Sequence, residues 1–115
     1  MLKSLCWVTV VCLGLCVQAN AASFSCDRAV LKAEKTICQV RSLNDADVKM
    51  ATTYQIVLHA LPMGGRDQQK SVQINWLKQR NLCGNQQSCL TQAYQQRQKQ
   101  LDGLIQDRVL SHGPF

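Results

Sequence analysis

Apolar side chains recur along this chain at spacings of three and four, and Val, Ile and Thr never alternate with polar residues long enough to make a strand. The pattern predicts four helical segments. The first is short, about 28–40, with Asp27 placed to cap it and Ala29, Ala33 and Ile37 on one face. The second, about 44–61, carries the clearest stripe: Leu43, Ala46, Met50, Tyr54, Val57 and Leu61. Ser42 followed by Asp45 resembles its start signal, and Pro62 with the Gly64-Gly65 turn ends it. The third runs about 66–82 through Val72, Trp76 and Leu77. The fourth runs about 88–109, with Leu90, Ala93/Tyr94, Arg97, Leu101, Leu104/Ile105 and Arg108 in its stripe. Gly103 weakens that helix by about 1 kcal/mol relative to alanine, and the tail from Ser111 is expected to fray. The expected fold is all-α: a small bundle of about four helices, with the second and fourth as its long antiparallel members.

The first residues break this amphipathic pattern. Lys3 precedes an uncharged, mostly apolar run from Cys6 to Val17, followed by the small-x-small site Ala19-Asn20-Ala21. That is the layout of a secretory signal peptide, too short to span a bilayer. Cleavage is expected after Ala21, leaving residues 22–115 as one domain, periplasmic or secreted. Cys16 is a poor lipidation site because the bulky Leu15 precedes it, so no stable membrane anchor is expected. Loss of Lys3 lowers the net charge by one from +6. The basic residues are spread along the chain without a run, which reads as a solvated surface, or as attraction to anionic envelope polymers.

Export changes the meaning of the cysteines. Cys6, Cys12 and Cys16 leave with the leader; Cys26, Cys38, Cys83 and Cys89 remain, an even set that implies two disulfides. Three connectivities are open. The local pairs Cys26–Cys38 and Cys83–Cys89 are favoured because each closes a short loop, worth about 2–3 kcal/mol on the chain-entropy model. That model credits longer loops with more, so geometry must decide. Cys83 and Cys89 bracket Gly84, Asn85, Gln86, Gln87 and Ser88, a polar stretch between the third and fourth helices. A bridge there fixes a corner.

Catalytic chemistry is thin. His59 and His112 are the only histidines and Glu34 is the only glutamate. No Cys/His spacing suits a metal, no glycine-rich loop suits a phosphate, and no paired carboxylates stand out. The reading is not an enzyme, with no cofactor and no metal. Trp76 and Arg80 are four apart, and Tyr94 and Arg97 three apart, each on one helical face. Tyr54, Trp76 and Tyr94 read as core aromatics whose polar ends reach the surface; the other reading is an aromatic-plus-arginine patch for sugars. Export argues against nucleic acid.

Taken in order, Cys26, Glu34-x-x-Ile37-Cys38, Leu43, Asp47, Met50, Tyr54, Trp76-x-x-x-Arg80-x-x-Cys83 and Cys89-Leu90-x-x-x-Tyr94-x-x-Arg97 resemble the LprI-type lysozyme inhibitor family of small exported bacterial proteins. The resemblance covers about residues 24–105. It implies an all-helical domain with four motif cysteines and a possible activity, inhibition of c-type lysozyme; the motif residues Glu34, Tyr54, Trp76, Arg80, Tyr94 and Arg97 look structural. The chain departs from the pattern at Leu31, where many members cap the first helix with Ser or Thr, so that helix is expected to begin earlier. It departs again at Gln98, where an apolar residue often follows the arginine.

An inhibitor must occlude a cleft that holds two carboxylates. A stapled Gly84–Ser88 loop suits the task, because a preorganised loop loses little entropy on binding and its amides imitate the hydrogen-bonding groups of a sugar chain. Charge opposes it: c-type lysozymes are basic, so steering toward this basic domain is repulsive. Asp45 and Asp47 are the only close acidic pair that could offset this; both also suit a helix start. The alternative is a non-enzymatic periplasmic module that binds an envelope polymer or a partner protein. The pattern leaves the oligomeric state open.

Overall fold

The computed structural model describes residues 22–112, excepting the side chains of Val109 and His112; the expected signal peptide lies outside the described residues. The fold is all-α. A single 3-10 turn, Cys26–Arg28, leads into α1 (Lys32–Gln39), α2 (Arg41–Ala60), α3 (Met63–Leu82) and α4 (Gln87–Leu104). A π-helical stretch, Ile105–Val109, and a 3-10 turn, Leu110–His112, follow. Two disulfides staple the domain. They are the local pairs, Cys26–Cys38 with Cα atoms 5.9 Å apart and Cys83–Cys89 with Cα atoms 5.5 Å apart.

The helices start without the expected caps. None of the four N-termini is held by a side-chain hydrogen bond. Asp27 belongs to the preceding 3-10 turn, and α1 begins at Lys32, later than expected, with Leu31 at its N-cap. Ser42 and Asp45 lie inside α2, whose N-cap is Val40. The reason is the shortness of the connections. Val40 closes α1 and opens α2, and only Leu61 and Pro62 separate α2 from α3. Pro62 ends α2 as expected, but Gly64 and Gly65 form the first turn of α3 and are not a turn between helices. The proline lacks the N–H that a first-turn residue leaves unpaired, so it opens a helix as readily as it ends one.

α2 packs chiefly on α4, and α1 and α3 complete the bundle. Ala33, Ile37, Leu43, Met50, Val57, Leu90, Tyr94 and Leu101 form the buried core. In α4 the sequence stripe is buried as spaced, at Leu90, Tyr94, Arg97 and Leu101. Arg108 is exposed, because regular α-helix ends before it. In α2 the buried line is Leu43, Asp47, Met50, Thr53, Val57 and Leu58, while Ala46, Tyr54 and Leu61 are half-buried. The stripe is therefore rotated from the expected one, and an aspartate lies in its centre. Gln98 is half-buried and donates to Thr53 Oγ1 at 2.9 Å, a polar α4–α2 contact where an apolar residue was the family expectation. Gly84, at φ 58°, gives α3 its left-handed stop; a side chain there would be strained.

Candidate functional site

Three constructions bring the candidate residues together: a surface corner and two buried arginines.

The corner joins α3 to α4. Cys83 is buried and Cys89 half-buried, and between them Asn85, Gln86, Gln87 and Ser88 are exposed. The Gly84 N–H reaches the Asn81 carbonyl at 3.2 Å and the Gln86 N–H reaches the Cys83 carbonyl at 3.2 Å, so backbone hydrogen bonds and the disulfide hold the turn from inside. Gln87 and Ser88 are the first residues of α4, with Gln86 at its N-cap. The loop proper is thus shorter than the polar stretch that the cysteines bracket.

Arg80, on α3 and 2% exposed, gathers all four helices. Its Nη1 donates to the Tyr94 hydroxyl at 3.2 Å, and Tyr94 donates in turn to Asp47 Oδ1 at 2.8 Å. Nε and Nη2 both donate to Asn81 Oδ1. Glu34 of α1 and Asp47 of α2 each stand 3.9 Å from the guanidinium, at ion-pair distance. The plane lies against Trp76 on one contact and Phe24 on another, 5.8 and 5.5 Å from the ring centres. Trp76 meets Tyr94 edge to face at 5.1 Å, and its ring N–H donates to the Ala93 carbonyl at 3.0 Å. Asp47 is 0% exposed and also accepts the Ser23 backbone N–H at 2.6 Å. The Cys26–Cys38 bridge anchors to α1 the segment that supplies Ser23 and Phe24.

This cluster overturns two expectations. The hydroxyl of Tyr94 does not reach the surface; it bridges Arg80 and Asp47 inside the bundle. Burial raises its pKa well above the ordinary tyrosine value, and Asp47 adds to the rise while Arg80 opposes it. Asp47 is also no part of an acidic surface patch: its carboxylate is consumed by Tyr94, Ser23 and Arg80, and Asp45 is left exposed without it.

Arg97, on α4, is 1% exposed and differently served. Nε donates to Gln73 Oε1 at 2.8 Å, Nη1 to Gln100 Oε1 at 3.2 Å and Nη2 to Gln69 Oε1 at 3.4 Å. Its plane stands 6.0 Å from the Tyr54 ring centre. Gln73 donates onward to the Met50 sulfur at 3.3 Å. Among the described residues no carboxylate lies within ion-pair distance of Arg97. Burial lowers its pKa, and the electrostatic effect of Tyr54 opposes that shift. Tyr54 is raised by its own burial, against the pull of Arg97. The sequence neighbours Tyr94 and Arg97 thus serve different clusters.

Glu34, Trp76, Arg80 and Tyr94 come together; Tyr54 and Arg97 form the second group; the corner uses neither. The partners Asp47, Gln69, Gln73 and Phe24 were not assigned these roles from sequence. Asp47 had a signal: it lies four after Leu43 and three before Met50, an acid inside an apolar stripe. The glutamines had none, being spread among many in a polar helix face. His59 is exposed, with Nδ1 2.7 Å from the Gln55 carbonyl, an ordinary helical arrangement. No group of three metal-ligating side chains, and no helix long and apolar enough to cross a membrane, occurs among the described residues. Comparison with family models, curated proteins and solved structures gives no match.

Proposed function

We propose that this chain is an exported, non-enzymatic binding protein of the lysozyme-inhibitor type that presents its stapled α3–α4 corner to the cleft of a c-type lysozyme. The observation that carries the reading is the corner itself. Asn85 and Gln86 stand exposed on a turn pinned by a disulfide, by two backbone hydrogen bonds and by Gly84, and Gln87 and Ser88 stand exposed beside them at the start of α4. Such a turn offers several amide groups in one arrangement and loses little conformational freedom when a partner closes on it. The two disulfides are consistent with an oxidising, exported location.

Charge does not assist this encounter. With Asp47 sequestered by Arg80 and Tyr94, binding rests on shape and amide hydrogen bonds, and added salt strengthens association by screening the repulsion between two basic proteins. The same sequestration favours the second reading, a module whose basic surface meets an anionic envelope polymer, where added salt weakens binding.

Titration of the oxidised chain into c-type lysozyme, followed by cell-wall lysis, tests the corner. The variant is Asn85→Ser, Gln86→Ser and Gln87→Ser together. It keeps Gly84 and both cysteines, and serine is a good N-cap at position 86, so the fold survives. Near-stoichiometric inhibition by the wild type, lost in the variant, supports the reading. Equal inhibition by both moves the contact away from the corner. No inhibition by the folded wild type removes lysozyme as the target and leaves the polymer reading to be tested by its salt dependence.

A further inference from the structure

Arg97 is a buried cation surrounded by neutral acceptors, and the two glutamines that cap the ends of its guanidinium line an open cleft. Gln69 and Gln100, which take hydrogen bonds from Nη2 and Nη1, line that cleft together with Val72, Leu104 and Arg97 itself; its volume is about 310 Å³. Guanidinium carries five N–H donors, and three find acceptors among the described residues. The bond to Gln73 uses Nε on the buried side. The donors left over belong to Nη1 and Nη2, the two nitrogens whose partners line the cleft.

A buried charge without a counter-charge is costly unless something neutralises it. Arg80 has Glu34 and Asp47 for this; Arg97 has nothing equivalent among the described residues. The two Nη groups form one edge of the guanidinium, which matches the two oxygens of a carboxylate. Among the described residues no other cationic side chain lines the cleft, so the site offers one positive charge, which suits a monoanion better than a doubly charged phosphate. Val72 and Leu104 give the cleft an apolar wall. From it the exposed face of α4 continues through Gln100 and Leu104 past Lys99 and Gly103 toward Asp107. Its opposed charges and glutamines suit hydroxyl groups.

We propose that this cleft binds a small organic carboxylate of the acidic-sugar class, the carboxylate taking the place of the Gln69 and Gln100 side chains on Arg97 as these turn to solvent, and the hydroxyl-bearing ring lying along the exposed face of α4. The site uses none of the corner residues and stands whether or not the chain inhibits lysozyme. The carboxylate can arrive as a free sugar acid or as the end group of an envelope polymer; the chemistry of the pocket is the same for both.

The test is titration of the oxidised, isotopically labelled chain with glucuronate, acetate, glucose, inorganic phosphate and sodium chloride at matched ionic strength. The readout is the Arg97 Nε–H resonance and the Gln69 and Gln100 side-chain amides. Glucuronate is expected to shift them saturably in the millimolar range. Acetate is expected to shift the same signals more weakly, and glucose and chloride not at all. The site variant is Gly103→Leu. A Cβ at position 103 meets no atom within 4 Å, and leucine favours a helix over glycine, so the variant folds and sets a bulky side chain on the face where the ring is proposed to lie. It is expected to weaken glucuronate about tenfold while leaving acetate unchanged. A glucuronate-capped oligosaccharide added to the wild type separates the two sources: tighter binding than the monomer supports the polymer end, equal binding the free acid. The proposal is overturned if no Arg97 signal moves with either carboxylate, if chloride moves it equally, if phosphate binds more tightly than glucuronate, or if Gly103→Leu binds glucuronate as the wild type does.

Discussion

The two buried arginines are almost equally hidden, at 2% and 1% exposure, yet they belong to different kinds of structure. Arg80 sits among two carboxylates, a tyrosine hydroxyl and two aromatic faces, with contributions from all four helices. Arg97 sits among three glutamine oxygens and one tyrosine ring, between α2, α3 and α4. The first cluster is electrically closed: its charges answer one another, and removing any member strands the rest. The second is open: among the described residues no carboxylate answers its charge, and two of its donors have no acceptor. Burial alone therefore says little about what an arginine does; the inventory around it separates a structural tie from a place where a ligand can complete the set.

The largest effect should come from opening the closed cluster. Asp47→Ala leaves Arg80 with Glu34 as its one carboxylate among the described residues and the Tyr94 hydroxyl proton buried without its acceptor, and a loss of about 3–5 kcal/mol is expected in urea unfolding. Arg80→Met should cost about as much, since it strands Asp47. A loss under about 1 kcal/mol for both would mean the cluster relaxes into water and is not a tie.

Alkaline titration comes next. In the unfolded chain Tyr94 ionises near pH ~10, whereas its folded pKa is raised by burial and by Asp47. The folded state thus holds its proton longer. The stability this contributes is complete below the unfolded value and is lost as pH rises toward the folded one, by about 1.4 kcal/mol for each pH unit. Tyr54 is raised too, and is the more exposed of the two tyrosines. Tyrosinate absorbance should rise in two steps, Tyr54 first and Tyr94 only with loss of helical circular dichroism. A single step near the ordinary value with the helix signal intact would contradict the Tyr94 environment.

Arg97→Met sharpens the contrast from the other side. It removes an unanswered charge, and Gln69 and Gln100 can turn to solvent, so only the buried Gln73 loses its partner. The expected cost is about 1 kcal/mol, well below that of Arg80→Met. Equal costs would erase the distinction between the clusters. Smallest of all, Asn85→Ala in the exposed corner should change stability by no more than about 0.5 kcal/mol; on the proposed inhibitor reading it weakens lysozyme inhibition all the same, which separates a working surface from a structural one.

Much of this fold could be read along the chain. The three-and-four spacing of Leu90, Tyr94, Arg97 and Leu101, and of Leu43, Met50 and Val57, is a local property of helix geometry, and it survives folding unchanged. The local disulfides follow for a similar reason, because short separations keep their partners close. Helix starts were poorly foretold. Asp27, Ser42 and Asp45 have capping chemistry, but α1 begins well past Asp27, and Val40 alone joins α1 to α2, which leaves Ser42 and Asp45 inside the helix. The candidate site divides in the same way. That Trp76, Arg80, Tyr94 and Arg97 matter was visible from their positions on helical faces. Which of them meet was not, because contacts between helices depend on how far each is rotated about its axis. A small rotation of α2 put Asp47 in the interior and turned Tyr54 partly outward. It gave Arg80 an answering charge, while Arg97 met only glutamine oxygens and the Tyr54 ring among the described residues.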